Sequence, residues 1–189
     1  KGQTVFIQGA TSGVGLIGIQ IAKSLGASKV LGSSTNKKKL NKLKEYGANV
    51  LIDTSSDNWL DDVLKATNGE GVDILIDMLS GDYVNKNMEA TKIHGHLINV
   101  GRLAGMSGNF NYDLHAKRRL HYVGTTGRTR SIEENEMVAT LANKDLWASV
   151  LAGKIRHVID SKMHLTKAKE ALDIMNKNSH FGKIILFTD

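Results

Sequence analysis

TVFIQGATSGVG, residues 4–15, passes from a short apolar strand into a glycine-rich turn that opens an amphipathic helix. A phosphate needs backbone N–H groups brought close to it with no side chains in the way, and a helix N-terminus supplies free donors and a partial positive charge. Gly13 and Gly15 clear the side chains, while Val14, Ile17, Gly18, Ile21, Ala22 and Leu25 recur at helical spacing and can lie on a sheet. The stretch is built to hold a pyrophosphate. A literal G-x-G-x-x-G falls at Gly13, Gly15 and Gly18, but the dinucleotide fingerprint starts where the first strand ends, here near Gln8. Counted from the strand, the three glycine roles fall on Ala10, Ser12 and Gly15, with Gly13 adding clearance and Gly18 easing close packing of the helix. An ordinary strand-to-helix turn has similar residues, so the motif needs support from the rest of the chain.

That support comes from alternation. Apolar periodicity predicts strands at about 4–8, 29–33, 49–53, 72–77, 96–100 and 120–126, and helices at about 13–25, 36–46, 57–67, 82–91 and 132–152. The strand cores are short apolar runs such as VLI at 50–52 and ILI at 74–76, as expected when helices cover both faces of a parallel sheet. The predicted fold is α/β: a Rossmann-like, doubly wound parallel sheet over residues 1–154. Residues 155–189 form a C-terminal strand-helix-strand appendage, with a strand at RHVID, a helix from about Thr166 and a last strand at GKIILF. Ser131 and Glu134 have capping-box spacing before a helix with Val138, Leu141 and Trp147 at apolar positions. Trp59, Trp147, Tyr46 and the methionines occur singly at helical positions, which suits core or rim packing better than cofactor stacking.

Composition narrows the class. The chain has 189 residues, 41% of them apolar, enough for one good core. No run approaches the roughly 20 apolar residues of a membrane-spanning helix, and the expected compartment is the cytoplasm. With no cysteine there is no disulfide, thiolate nucleophile or cysteine zinc site. A strand begins about three residues after Lys1, so the sequence reads as a piece of a longer chain. Twenty-five basic against 19 acidic residues give a formal charge of +6, concentrated in Lys37, Lys38, Lys39, Lys42 and Lys44 and in Lys117, Arg118, Arg119, Arg128 and Arg130. Such runs are usually solvated faces. Without a recognition module or an aromatic platform they argue against nucleic acid as the partner.

In the NAD form of this fold an acidic residue at the end of the second strand binds the adenosine ribose, about 20 residues after the glycine turn. Here the stretch is LGSSTNKKK: Ser33, Ser34, Thr35 and Asn36, then three lysines. Hydroxyls and ammonium groups suit a ribose 2′-phosphate, so the expected cofactor is NADPH. The fifth strand ends in HLINVGRLAG, where Gly101 would let backbone approach the nicotinamide end and Arg102 could reach a phosphate or substrate; a plain strand-end turn explains these residues equally well. The seven histidines are scattered with no H-E-x-x-H spacing, and no G-x-S-x-G elbow occurs. Ser12 reads as phosphate-binding, and Asp77 as a residue that fixes the loop after its strand.

Together GATSGVGLIGIQIAKSLGA (9–27), GVDILIDMLSGDYV (71–84), HGHLINVGRLAG (94–105), GTTGRTRSIEE (124–134), GKIRHVID (153–160) and GKIIL (182–186) resemble the zinc-independent quinone oxidoreductase branch of the medium-chain dehydrogenase/reductase superfamily. The last three point to the p53-inducible quinone reductase-like subgroup. The resemblance implies an NADPH-dependent reductase of quinones or electron-poor alkenes, with a catalytic domain outside this sequence to which the terminal segment belongs. It implies a pyrophosphate held at Thr11, Ser12, Gly13, Val14 and Gly15, and a 2′-phosphate at Lys39 with Ser34 or Thr35. It further implies a nicotinamide beside Val100, Gly101, Arg102, Thr125 and Thr126, with Gly182 and Lys183 closing over the cofactor. No catalytic residue and no metal ligand is assigned within the sequence. The resemblance also implies a homodimer joined through HYVGTTG, residues 121–127. Members with a vestigial cofactor site or an RNA association are the alternatives. Thr54 departs from the pattern, since relatives often carry Tyr or His after the third strand.

Overall fold

Apolar runs that do not alternate need cover on both faces, and the computed structural model, which describes residues 1–189, provides it. Six strands form one parallel sheet: β1 (Thr4–Ile7), β2 (Lys29–Ser34), β3 (Val50–Asp53), β4 (Val72–Asp77), β5 (Thr91–Asn99) and β6 (His121–Gly124). Their order across the sheet is β3-β2-β1-β4-β5-β6, so the chain reverses direction between β1 and β4. Open sheets of this order bind ligands outside the carboxyl ends of the strands at that reversal. The doubly wound expectation holds.

The helices are α1 (Gly13–Ser24), α2 (Lys37–Leu40), α3 (Trp59–Ala66), α4 (Val84–Ala90), α5 (Tyr112–Arg118), α6 (Ile132–Leu151) and α7 (Ala168–Asn176). On one side of the sheet Phe6, Leu31, Ile52, Leu75 and Leu97 meet Trp59 and Met88. On the other, Val5, Ile7 and Val30 meet Leu16, Ile19, Leu43 and Phe181. The terminal unit is a separate two-stranded parallel sheet of β7 (Ile159–His164) and β8 (Lys183–Phe187) joined through α7.

Several boundaries moved for identifiable reasons. The helix expected over 36–46 is one α-turn, α2, followed by a 3-10 helix at Asn41–Tyr46 that ends on Gly47 at φ 108°. Residues 112–118 form a helix that was not expected, capped by Asn111, whose Oδ1 accepts from the Leu114 amide at 2.9 Å. The strand expected from about residue 156 begins at Ile159, because Arg156 is spent on α1: its amide donates to Gln20 Oε1 at 2.9 Å and its carbonyl accepts from Gln20 Nε2 at 3.1 Å. The capping box at Ser131 and Glu134 forms as expected. Yet α6 has no fully buried residue: it meets α1 near its C-terminal end, where Ser149 and Ser24 share a hydrogen bond, and Trp147, where packing was expected, is 54% exposed.

Candidate functional site

The turn after β1 is held from below before any ligand is considered. Gln8 is fully buried, and its side-chain amide pairs with that of Asn87 on α4, donating at 2.6 Å and accepting at 3.3 Å. Gly9 turns at φ 58°, and the Ala10 amide donates to the Ser33 carbonyl at 2.8 Å, tying the turn to the end of β2. A Cβ on Gly15 would lie 2.5 Å from Ala10 Cα and 2.6 Å from the Gly9 carbonyl oxygen. Both are backbone atoms, so only glycine lets α1 start this close to the strand. This is the close-packing role assigned to Gly15 in the strand-based register.

Ser12 caps α1. Its Oγ accepts from the Gly15 amide at 3.0 Å, and its carbonyl accepts from Leu16 at 2.9 Å. The amides of Gly13 and Val14 donate to no protein acceptor. Two free N–H groups at the positive end of a 12-residue helix form a cradle that fits a pyrophosphate. The terminal unit reaches the same place: the Gly182 amide donates to the Thr11 carbonyl at 3.0 Å, and Ser12 and Gly182 form a parallel bridge. The Lys183 side chain lies across Gly13, its Cγ only 2.5 Å from where a Cβ would stand. Thr11, Ser12, Gly13, Val14, Gly15, Gly182 and Lys183 are thus gathered in one place, although 167 residues (182 − 15) separate the last two from the rest.

At the end of β2 the hydroxyls meet the turn. Ser34 Oγ and Thr11 Oγ1 are 3.3 Å apart, and Ser34 Oγ also accepts from the Asn36 amide at 3.1 Å. Lys39 is placed differently from an exposed phosphate-binding lysine. It is 6% exposed, and its ammonium donates to the carbonyls of Asn178 and His180, the latter at 2.7 Å, and to Asn178 Oδ1 at 3.1 Å. Burial pushes its pKa below the usual lysine value, partly countered by Asp160. Thr35 is exposed, and its Oγ1 accepts from Asn178 Nδ2 at 3.3 Å. Sequence reasoning missed Asn178 entirely. The usable signal was an asparagine just past a helix end, where a left-handed residue is common; its φ is 46°.

The residues expected on the nicotinamide side lie at the ends of β5 and β6. Gly101 has no room for a side chain, since a Cβ would lie 2.5 Å from the Met78 carbonyl oxygen. Thr125 donates to the Asn99 carbonyl through both its amide, at 3.0 Å, and its Oγ1, at 3.1 Å. Val100 lines an apolar groove of about 390 Å³ with Val14, Gly15 and Met78, which links this end to the turn. Arg102 opens instead onto a polar pocket with Ser80, Asn99 and Tyr122, and burial raises the pKa of the Tyr122 hydroxyl. Thr126 Oγ1 accepts from the Arg128 amide at 3.3 Å. Asp77 fixes the loop after its strand, as expected: it is fully buried, and its Oδ1 accepts from the amides of Leu79 and Ser80, both at 2.8 Å.

The profile of one protein family, described as zinc-binding dehydrogenase, matches residues 13–143, from the first helix through most of α6. The chain belongs to this family. Quinone oxidoreductase of Rattus norvegicus is 29% identical over 186 residues, covering 98% of this chain and 54% of the relative. NAD-dependent alcohol dehydrogenase of Saccharolobus solfataricus is 24% identical over 189 residues, covering 97% of this chain and 50% of the relative. Among solved structures, quinone oxidoreductase of Pseudomonas syringae superposes with a TM-score of 0.84 at 23% identity, over 98% of this chain and 57% of that one. The chain spans about half the length of the curated relatives it matches. It is a nicotinamide-dinucleotide-binding domain of the medium-chain dehydrogenase/reductase type. No three His, Asp or Glu side chains gather into a metal-holding group, and no helix is long and apolar enough to cross a membrane.

Proposed function

We propose that this family member is the cofactor-binding half of an oxidoreductase that takes hydride from NADPH to a quinone or an electron-poor alkene. The observation that carries the reading is the cradle after β1, with Gly15 forced by backbone contact and the amides of Gly13 and Val14 free, set against a second strand that ends in hydroxyls and lysine where an NAD site would carry a carboxylate. Similarity to both a quinone oxidoreductase and an NAD-dependent alcohol dehydrogenase puts the weight of the cofactor choice on that strand end. When bound, the dinucleotide supplies the hydride. The chain's own residues hold and orient it: the first turn of α1 takes the pyrophosphate, Lys183 brings a cation against the same turn, and Ser34, Thr35 and Lys39 face the ribose. Val100, Gly101, Arg102, Thr125 and Thr126 bound the nicotinamide end, and acceptor-binding groups lie in a partner domain.

Binding of NADPH and NADH, followed by nicotinamide fluorescence, tests this. The expected result is a preference for NADPH that Lys39→Met removes on the order of tenfold, leaving NADH within about twofold. Equal loss for both cofactors overturns the 2′-phosphate reading. A homodimer is proposed through β6, which ends the sheet with one edge unpaired and exposes Tyr122 and Val123 at 38% and 42%. Sedimentation showing a monomer at all concentrations would remove it. Nucleic acid is not the proposed partner. Lys37 pairs with Asp53 at 3.1 Å, Lys117 with Asp113 at 2.7 Å, and Lys39 is buried, which weakens both basic clusters as phosphate-binding faces.

A further inference from the structure

An ammonium group has three N–H donors, and Lys39 spends all three on one short segment: the carbonyl of Asn178, the carbonyl of His180 and Oδ1 of Asn178. The Asn178 side chain spans the two groups that would face a ribose 2′-phosphate, since its Nδ2 donates to Thr35 Oγ1 while its Oδ1 accepts from Lys39. We propose that Asn178 is a specificity-determining residue for the dinucleotide, its side-chain amide occupying the place of a 2′-phosphate, so that the phosphorylated cofactor must displace it and the unphosphorylated one need not. The inference rests on the 2′-phosphate reading of Lys39 and Thr35 given above.

Three features make displacement feasible at this residue. Asn178 is exposed and stands at φ 46° just past the end of α7, a position governed by the helix end and not by its side chain. Its Oδ1 contact, at 3.1 Å, is the longest of the three lysine contacts, and it is the one made by a side chain that can rotate away. The closed arrangement also leaves His180 Nδ1 buried without a hydrogen-bond partner, a loss that offsets part of what the tether gains. A phosphate offers Lys39 a charged acceptor in place of a neutral one, and Thr35 Oγ1 can turn from accepting to donating. The displaced segment continues directly into Phe181, Gly182 and Lys183, which touch the glycine turn, so the two ends of the cofactor site share one connecting strand of chain.

The test compares 2′,5′-ADP with 5′-AMP, which differ only in the 2′-phosphate, by calorimetric titration of this chain. Asn178→Gly keeps the left-handed backbone and should tighten 2′,5′-ADP by about threefold to tenfold while leaving 5′-AMP within about twofold. Asn178→Asp places a carboxylate on Lys39 and should weaken 2′,5′-ADP by about tenfold or more, again sparing 5′-AMP. A ratio of the two affinities unchanged in either variant overturns the proposal. Lys39→Met separates the two layers of the argument: if it leaves the ratio unchanged, the 2′-phosphate reading has failed, whereas loss of the preference in Lys39→Met with no effect at position 178 refutes the role of Asn178 alone.

Discussion

Replacing Gly15 by alanine adds one methyl group at a point where the chain has no slack. The new Cβ would stand 2.5 Å from Ala10 Cα, 2.6 Å from the Gly9 carbonyl oxygen and 2.9 Å from the Ala10 carbonyl carbon. Ordinary contact requires about 3.5 Å or more, so α1 and the turn must separate by a large fraction of an ångström. The turn cannot yield freely, because the Ala10 amide is bonded to Ser33 and Gln8 is locked against Asn87. Overpacking of this kind costs about 1–3 kcal/mol, which for a chain of this size lowers Tm by about 2 to 12 °C. Gly18→Ala is the matched control. Its Cβ would lie 3.3 Å from Ile7 Cδ1, a methyl that can rotate away, and alanine gains up to about 1 kcal/mol of helix propensity. Urea unfolding followed by circular dichroism, with nicotinamide binding measured alongside, should show Gly15→Ala less stable and at least about tenfold weaker for either cofactor, since about 1 Å of misplacement spoils a preorganised site. Gly18→Ala should be neutral or slightly stabilised. A Gly15→Ala protein as stable and as tight as the parent would refute the claim that backbone contact, not phosphate access, demands this glycine.

Three further outcomes follow from burial and charge. Trp59 is 2% exposed and packs against Phe6 at 6.0 Å between ring centroids, so Trp59→Ala should cost about 3–5 kcal/mol, while Trp147→Ala on the exposed α6 should stay within about 0.5 kcal/mol; equal effects in urea unfolding would contradict this core assignment. Removing the Asp77 carboxylate strands the amides of Leu79 and Ser80, and Asp77→Ala should destabilise the chain by about 2–4 kcal/mol in the same assay. The pKa of Asp53 is lowered by the Ser55 hydroxyl first, then by the Ser55 amide and Lys37. Its stabilisation is therefore fully present above the ordinary aspartate value of about 3.9 and is lost as pH falls through the lower folded value. Asp53→Asn should flatten the acid limb of the stability profile below about pH 4, and an unchanged limb would show that the Ser55 and Lys37 contacts do not persist in solution.

The parts of the site that were legible in the sequence are those whose chemistry is local. The turn at 11–15 is recognisable because a strand, a glycine run and a helix start are contiguous, and the strand-based register gave Gly15 the close-packing role that the literal motif would give Gly18. The loop role of Asp77 and the capping box at Ser131 were legible for the same reason, since their partners lie two or three residues away. The helix at 112–118 was missed because YDLHAKR has no fully buried residue and meets the core through Leu114, too little for an apolar stripe to detect. Trp147 was expected to pack because its spacing suits a helix face, but spacing says only which residues share a face and not whether anything lies against it.

What the sequence by itself determined is the parallel α/β architecture, the glycine-rich turn at the start of α1 and the hydroxyl-rich end of the second strand, because each follows from short-range periodicity or from residue types adjacent in the chain. Only the tertiary structure decided where the Lys39 ammonium points. Its three acceptors come from Asn178 and His180, 139 and 141 residues away, and nothing in the run TNKKK distinguishes a lysine that will be drawn into a distant carbonyl cluster from its solvated neighbours. Burial and long-range hydrogen bonding are properties of the folded contact set. A linear pattern can name the chemistry available at a strand end, but the assembled chain determines which groups are already engaged there.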